Sequence, residues 1–174
     1  ALLRLVSEGA LDLDARGILG VPRLPPDRYA EIMDLRVELE GRAAARAAGL
    51  ATAADIAALR TIHDRLMIGR KTMDDAIVLA ENERFHFGVL AIARMPVLQR
   101  VVENLWTQAG PTISLLSAAP RPLSPAGHPH DALLRALAEH DPAAARAAVE
   151  RDLREHQLIV APLLERRADT RDAS

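Results

Sequence analysis

The stretch DRYAEIMDLRVELEGRAAARAAG, residues 27–49, decides the fold class. Ile32, Leu35, Leu39, Ala43 and Ala47 recur at steps of three and four, the repeat of one helix face. Alanine and leucine, the strongest helix formers among apolar residues, carry the stripe. Gly49 is placed to cap the end.

The same grammar repeats downstream. Thr52-x-x-Asp55 is a capping box with Asp in place of Glu, and predicts a helix from there to about Ile68. A third helix is expected from about Met73 to Arg94. Pro96 opens a fourth at a position where proline is tolerated. That helix should reach about Leu116, with a disturbance at Gly110-Pro111, where proline removes a backbone donor. Three prolines and a glycine make 118–127 a loop. A fifth helix is expected over about 129–139. Asp141-Pro142 supplies an N-cap and a first-turn proline for a sixth, running to about 167 with a bend near Pro162. The tail, 169–174, reads as frayed.

Upstream the pattern changes. Residues 1–10 read as the end of a helix, with Leu2, Leu3 and Val6 as its stripe and Gly9 as its stop. Residues 11–21 alternate around Gly17 and predict a small hairpin. Pro22, Pro25 and Pro26 form a stiff linker. The first residue, Ala1, falls inside an apolar-periodic pattern, so the N-terminus reads as cut. The expectation is an all-α antiparallel bundle of about six helices over 27–168, after a separate segment at 1–26.

Composition narrows the function. Half of the residues are apolar, but only Tyr29, Phe85, Phe87 and Trp106 are aromatic, which favours helices packed through small side chains. A formal charge of −2 gives no basic footprint for nucleic acid. Without cysteine there is no disulfide framework and no thiolate metal site. No apolar run reaches the ~18 residues of a membrane span, and no signal peptide is visible. The expected compartment is the cytoplasm.

One constellation carries chemistry. Asn82 and His86 lie four apart on the third helix and point the same way. His130 opens the fifth helix and Asp152 lies within the sixth. Three helices thus offer four oxygen or nitrogen ligands to one internal point, the way a bundle builds a metal or small-molecule site. His156, one turn beyond Asp152, is its rival. The bland alternative is that His86 and His130 are buried histidines satisfied by hydrogen bonds. Arg36 is either a clamp for a carboxylate or an ion-pair partner of Glu40, one turn on. Trp106 either lines a pocket mouth or fills core. His63, His128 and His140 read as surface residues.

Three motifs in order carry a family resemblance. Arg36-Val37-Glu38-Leu39-Glu40 before an Ala-rich run is similar to the opening of the ligand-binding domain of FadR-type GntR transcriptional regulators. Asn82-x-x-Phe85-His86 resembles their D-x-x-F-H element. His130-x-x-Leu133-Leu134-x-Ala136-Leu137, followed by Asp141 and Ala144-Ala145, resembles their H-x-x-I-L-x-A-I…D…A-A element. ALLRLVSEGALDLDARGILGV is similar to the end of a recognition helix and the wing of a winged helix-turn-helix.

The resemblance implies a metabolite-responsive regulator, usually a repressor. It would meet operator DNA through an N-terminal domain mostly missing here, and would act as a homodimer. It implies a pocket in the bundle where a divalent metal, zinc first and manganese or nickel next, helps to bind a small carboxylate effector. Relatives hold the metal with one Asp and three His. Here Asn82 stands at the Asp position and Asp152 at that of the third His, so one carboxylate survives on a different helix. Arg36 and Trp106 would contact the effector. The alternatives are a metal-dependent hydrolase or lyase on a helical bundle, and a metal-free acyl-thioester sensor.

Overall fold

A computed structural model of the protein describes residues 6, 11–13, 17–20, 24–113 and 127–172. Six helices form its body: α1 Pro26–Ala48, α2 Ala53–Thr72, α3 Asp75–Ala93, α4 Pro96–Ile113, α5 Pro129–Ala138 and α6 Pro142–Asp172. They follow a two-residue hairpin, in which β1 (Asp12–Leu13) pairs antiparallel with β2 (Leu19–Gly20). Gly17 lies between the strands at φ 78°, a left-handed conformation that glycine adopts without steric cost. The expected helix end at 1–10 falls outside the described residues except for Val6, which is helical. The loop expected at 118–127 also lies almost wholly outside them.

Caps set the helix starts. Thr52 and Asp55 complete the expected box: the Thr52 hydroxyl accepts from the Asp55 N–H at 3.2 Å, and Asp55 Oδ2 accepts from the Thr52 N–H at 2.9 Å. Asp74 accepts from the Ile77 N–H. Asp141 Oδ1 accepts from both Ala143 and Ala144. Gly49 caps α1 as expected, its N–H donating to the Arg46 carbonyl at 3.2 Å, though in a right-handed conformation, φ −79°. Left-handed turns fall instead at Met73, Arg94 and His140, at φ 57°, 52° and 52°.

One expected helix end is corrected. α2 continues to Thr72, four residues past Ile68, because nothing in Gly69-Arg70-Lys71-Thr72 stops it and Gly69 is wanted there for packing. α4 is helical through Gly110-Pro111 to Ile113, where the Thr112 hydroxyl donates to the Ala109 carbonyl at 2.6 Å, and its expected reach to about Leu116 lies outside the described residues. α6 is helical to Asp172, the last described residue.

α1 is the central strut, packing on α6, α3 and α4, while α2 pairs with α3 and α5 with α6. Small residues permit the closest of these approaches. Ala44, Ala48, Ala145 and Ala148 are buried, and a Cβ on Gly41 would meet Arg146 and Glu150 of α6 at 3.2 Å. The buried face of α1 is not quite the expected stripe. Leu35 is 47% exposed, and the inward residues include Arg36 and Glu40. Polarity alone places such a pair outside; the partners described below bring it in. Among the described residues no helix is long and apolar enough to cross a membrane.

Candidate functional site

The centre of the bundle holds a chain of alternating charges drawn from three helices, with an aromatic ring from a fourth. α1 supplies Arg36 and Glu40, which share a face because they are four apart. Arg36 is 1% exposed, and its Nε donates to Glu40 Oε1 at 2.7 Å. Its guanidinium lies 4.1 Å from the centroid of the Trp106 ring on α4, a cation–π contact. The Trp106 indole N–H donates to Glu40 Oε1 at 3.2 Å. The other oxygen of Glu40 meets His86 Nδ1 of α3 at 2.9 Å. His86 Nε2 meets Asp152 Oδ2 of α6 at 3.0 Å. The sequence left the Arg36–Glu40 pair open as a surface contact; the structure buries it, which makes each charge dependent on the other.

The electrostatics follow from this order. Burial opposes the charge on Glu40, but Arg36 and His86 outweigh it and hold its carboxyl at about 2. Burial likewise opposes a charged His86, but hydrogen bonds to Asp152 and Glu40 raise its imidazole to about 9. Asp152 is held well below the usual carboxylate range, because His130 and His86 beside it outweigh its burial. Arg36, Glu40, His86 and Asp152 therefore alternate plus, minus, plus, minus and sum to zero.

His130 opens the site to ligands. Its Nε2 lies 3.7 Å from Asp152 Oδ2, beyond hydrogen-bond distance, and both of its ring nitrogens are buried without a hydrogen-bond partner. The ring stacks on Phe85 at 3.7 Å between centroids and 8° between planes, which fixes its orientation. Burial pushes its pKa down, against the pull of Asp152. His86, His130 and Asp152 each bring one ligand atom to within 4.8 Å of the others. Such a set of two imidazoles and a carboxylate suits zinc or a neighbouring divalent ion. Glu40, bonded to the far nitrogen of His86, has the place of the outer carboxylate that orients metal-bound histidines.

Of the residues singled out in the sequence, His86, His130 and Asp152 thus come together, with Arg36 and Trp106 around Glu40. Asn82 is half-buried one turn before His86. His156 belongs to neither of the converging ligand groups among the described residues. Trp106 is core, and one side of it also lines an outer groove of about 590 Å³ with Glu83, Phe87, Glu103 and Thr107, apart from the converging ligands.

The sequence reading missed three residues. Glu40 carried only a helical spacing to Arg36. His63 and His128, expected at the surface, are 3% and 8% exposed. His63 sits on α2 against Phe85, with ring centroids 6.3 Å apart, and His128 caps α5, its Nδ1 accepting from the His130 N–H at 3.2 Å. The His-Pro-His spelling at 128–130 was the available signal: a cap residue immediately before a buried first turn is drawn inward with it. His140 is exposed, as expected, and its Nδ1 meets the Ala48 carbonyl at 2.8 Å.

Comparisons with known proteins converge on one group. Residues 31–155 match the FCD domain. The HTH-type transcriptional regulator McbR of Escherichia coli (strain K12) is 32% identical over 122 residues, 70% of this chain and 55% of that protein. The chain therefore spans about half the length of that relative. The solved structure of E. coli McbR/YncC superposes with a TM-score of 0.84 at 27% identity, covering 95% of this chain and 82% of the other. A GntR family member from Pseudomonas syringae pv. tomato str. DC3000 superposes at 0.68 with 22% identity, over 94% and 69% of the two chains, and speaks for the fold alone.

Proposed function

This chain belongs to the FCD domain family, and from that premise we propose that it is the effector-sensing part of a GntR-type transcriptional regulator. Its bundle binds a small organic acid with the help of a divalent metal. The regulator reading is supported by McbR, described as an HTH-type transcriptional regulator, and by the hairpin ahead of α1, which has the form of a wing. On this reading residues 1–26 are the end of a winged helix-turn-helix, and operator DNA is met mainly through a segment that precedes them. Two readers are needed for a two-fold operator, so the protein is a homodimer.

The observation that carries the metal is the convergence of His86 Nε2, His130 Nε2 and Asp152 Oδ2, with Oδ2 at 3.0 and 3.7 Å from the two nitrogens. Zinc fits best, with nickel and manganese next. Asn82, on the same helix face as His86, is a weaker fourth contact through its amide oxygen. A dication joined to the neutral chain of Arg36, Glu40, His86 and Asp152 leaves net positive charge even after His86 gives up a proton. That charge selects an anion, most simply a carboxylate or hydroxy acid. Arg36 contributes mainly by holding Glu40, and Trp106 by closing that wall.

The effector acts by population shift, binding one arrangement of the helices better than another. Relatives described as regulators, and the lack of a separate general base or nucleophile among the converging residues, favour this over a hydrolase or lyase. Elemental analysis of protein purified without chelator, paired with a thermal-shift screen of organic acids with and without zinc, tests the reading. Stabilisation by acids that depends on metal is expected. Less than about a tenth of an equivalent of transition metal, unchanged after dialysis against zinc, overturns it.

A further inference from the structure

A second group of ligands shares His130 with the first. His63, His128 and His130 are all buried, and each brings a ring nitrogen to within 4.8 Å of the other two. Their ring centroids are 4.4 to 5.4 Å apart. Three helix segments supply them: the middle of α2, the cap of α5 and its first turn. We propose that this trio is a second cation site, selective for nitrogen-seeking divalent ions such as nickel, copper and zinc.

Two observations support it beyond proximity. The first is unmet bonding: His63 Nδ1 and both nitrogens of His130 are buried with no hydrogen-bond partner, an arrangement that native interiors rarely leave in place. The second is an outer carboxylate. Asp131 Oδ1 lies 3.4 Å from His63 Nε2 and is itself held by Arg60 at 2.9 Å, which leaves Nδ1 as the ligating atom of His63. A tetrahedral ion with nitrogens at about 2.0–2.1 Å needs them about 3.3 Å apart, so the rings must close inward by small rotations. Ligation through His128 Nε2 moves its proton to Nδ1 and gives up the 3.2 Å cap contact with the His130 N–H. An all-imidazole set disfavours magnesium, calcium and manganese, which prefer oxygen.

The site does not depend on the group at His86 and Asp152 holding metal. A neutral imidazole has one lone pair, so His130 serves one group or the other and the two cannot fill together. Nickel titration of chelator-stripped, full-length chain by calorimetry separates them. Asp152→Asn should keep one equivalent with less than a tenfold loss of affinity, and adding His63→Gln to it should weaken nickel more than a hundredfold. Circular dichroism verifies the fold of each variant. In the zinc-loaded Asp152→Asn protein, ring-nitrogen chemical shifts of His63 and His128 should move, a direct readout that needs no second substitution. Loss of all nickel in folded Asp152→Asn overturns the proposal, as does retention after His63→Gln is added. If His63→Gln alone removes the metal of the otherwise native chain, the trio stands and the His86 group is the one that fails.

Discussion

Glu40 and His86, 46 residues apart in the chain, meet at 2.9 Å between Oε2 and Nδ1 inside the bundle. Glu40 is thereby the hinge of the charge chain, serving Arg36 and Trp106 with one oxygen and His86 with the other. Removing it leaves a buried guanidinium and a buried imidazole facing each other. Glu40→Ala should cost about 3–5 kcal/mol in urea denaturation. Arg36→Met combined with Glu40→Met removes both charges and should cost less than Glu40→Ala alone. A double variant worse than the single one would mean that the pair is not coupled as described.

The metal-free protein should be most stable near pH 6.5. Above that value the unfolded chain releases a proton from His86 that the native ring keeps until about pH 9. Stability therefore falls with rising pH across that window, by up to about 1.4 kcal/mol per unit. Below 6.5 the unfolded chain protonates His128, which the native site keeps neutral down to about 3, so stability falls again with acid. His86→Gln should flatten the alkaline limb, and His128→Asn, which can still cap α5, should make the acid limb shallower, since His63 and His130 also contribute to it. Thermal melts from pH 4 to 9 in chelator, with each limb unchanged by its own substitution, would reject the assignment.

Stabilisation by an organic acid in the presence of zinc should separate the ligands. His86→Ala and Asp152→Ala should abolish it. Asn82→Ala should weaken it by roughly tenfold, in the range of a secondary contact. His156→Ala should leave it intact. An inverted result for Asp152 and His156 would mean that α6 is turned relative to the geometry described here.

Two substitutions around the α2–α3 junction should have opposite signs. A Cβ at Gly69 meets Ile77 Cγ2 at 2.8 Å, so Gly69→Ala should destabilise by about 1–3 kcal/mol. Met73, 85% exposed at φ 57°, carries a side chain in a conformation suited to glycine. Met73→Gly should stabilise by about 0.5–1 kcal/mol. Denaturant midpoints read both; a gain from Gly69→Ala would show that α2 and α3 do not touch there.

The helices were legible because their starts are written locally. Thr52, Asp74 and Asp141 cap with their own side chains, and six segments follow the linker as the periodicity of Ala and Leu requires. His86, His130 and Asp152 could be singled out because Asn82 and His86 share a helix face four residues apart, and because the resemblance in motif order points to the other two. Glu40 could not, because its partner on the same helix, Arg36, makes an ordinary surface pair, and only α3 and α4 supply the contacts that draw both inside. His63 was hidden in the same way: its neighbours Asp64 and Arg65 are exposed, and the ring turns inward because α3 and α5 bring Phe85 and His130 to it. Pairings between distant helices leave no trace in a local pattern.

α1 begins at Pro25-Pro26, where its backbone has little freedom, and carries Glu40 fourteen residues later, about 21 Å along at 1.5 Å per residue. Between these points the helix is unbroken, and Tyr29, Met33 and Val37 are wedged in the core. It behaves as a stiff rod clamped along its length. Glu40 and the proline joint next to the hairpin are therefore two ends of one rigid element.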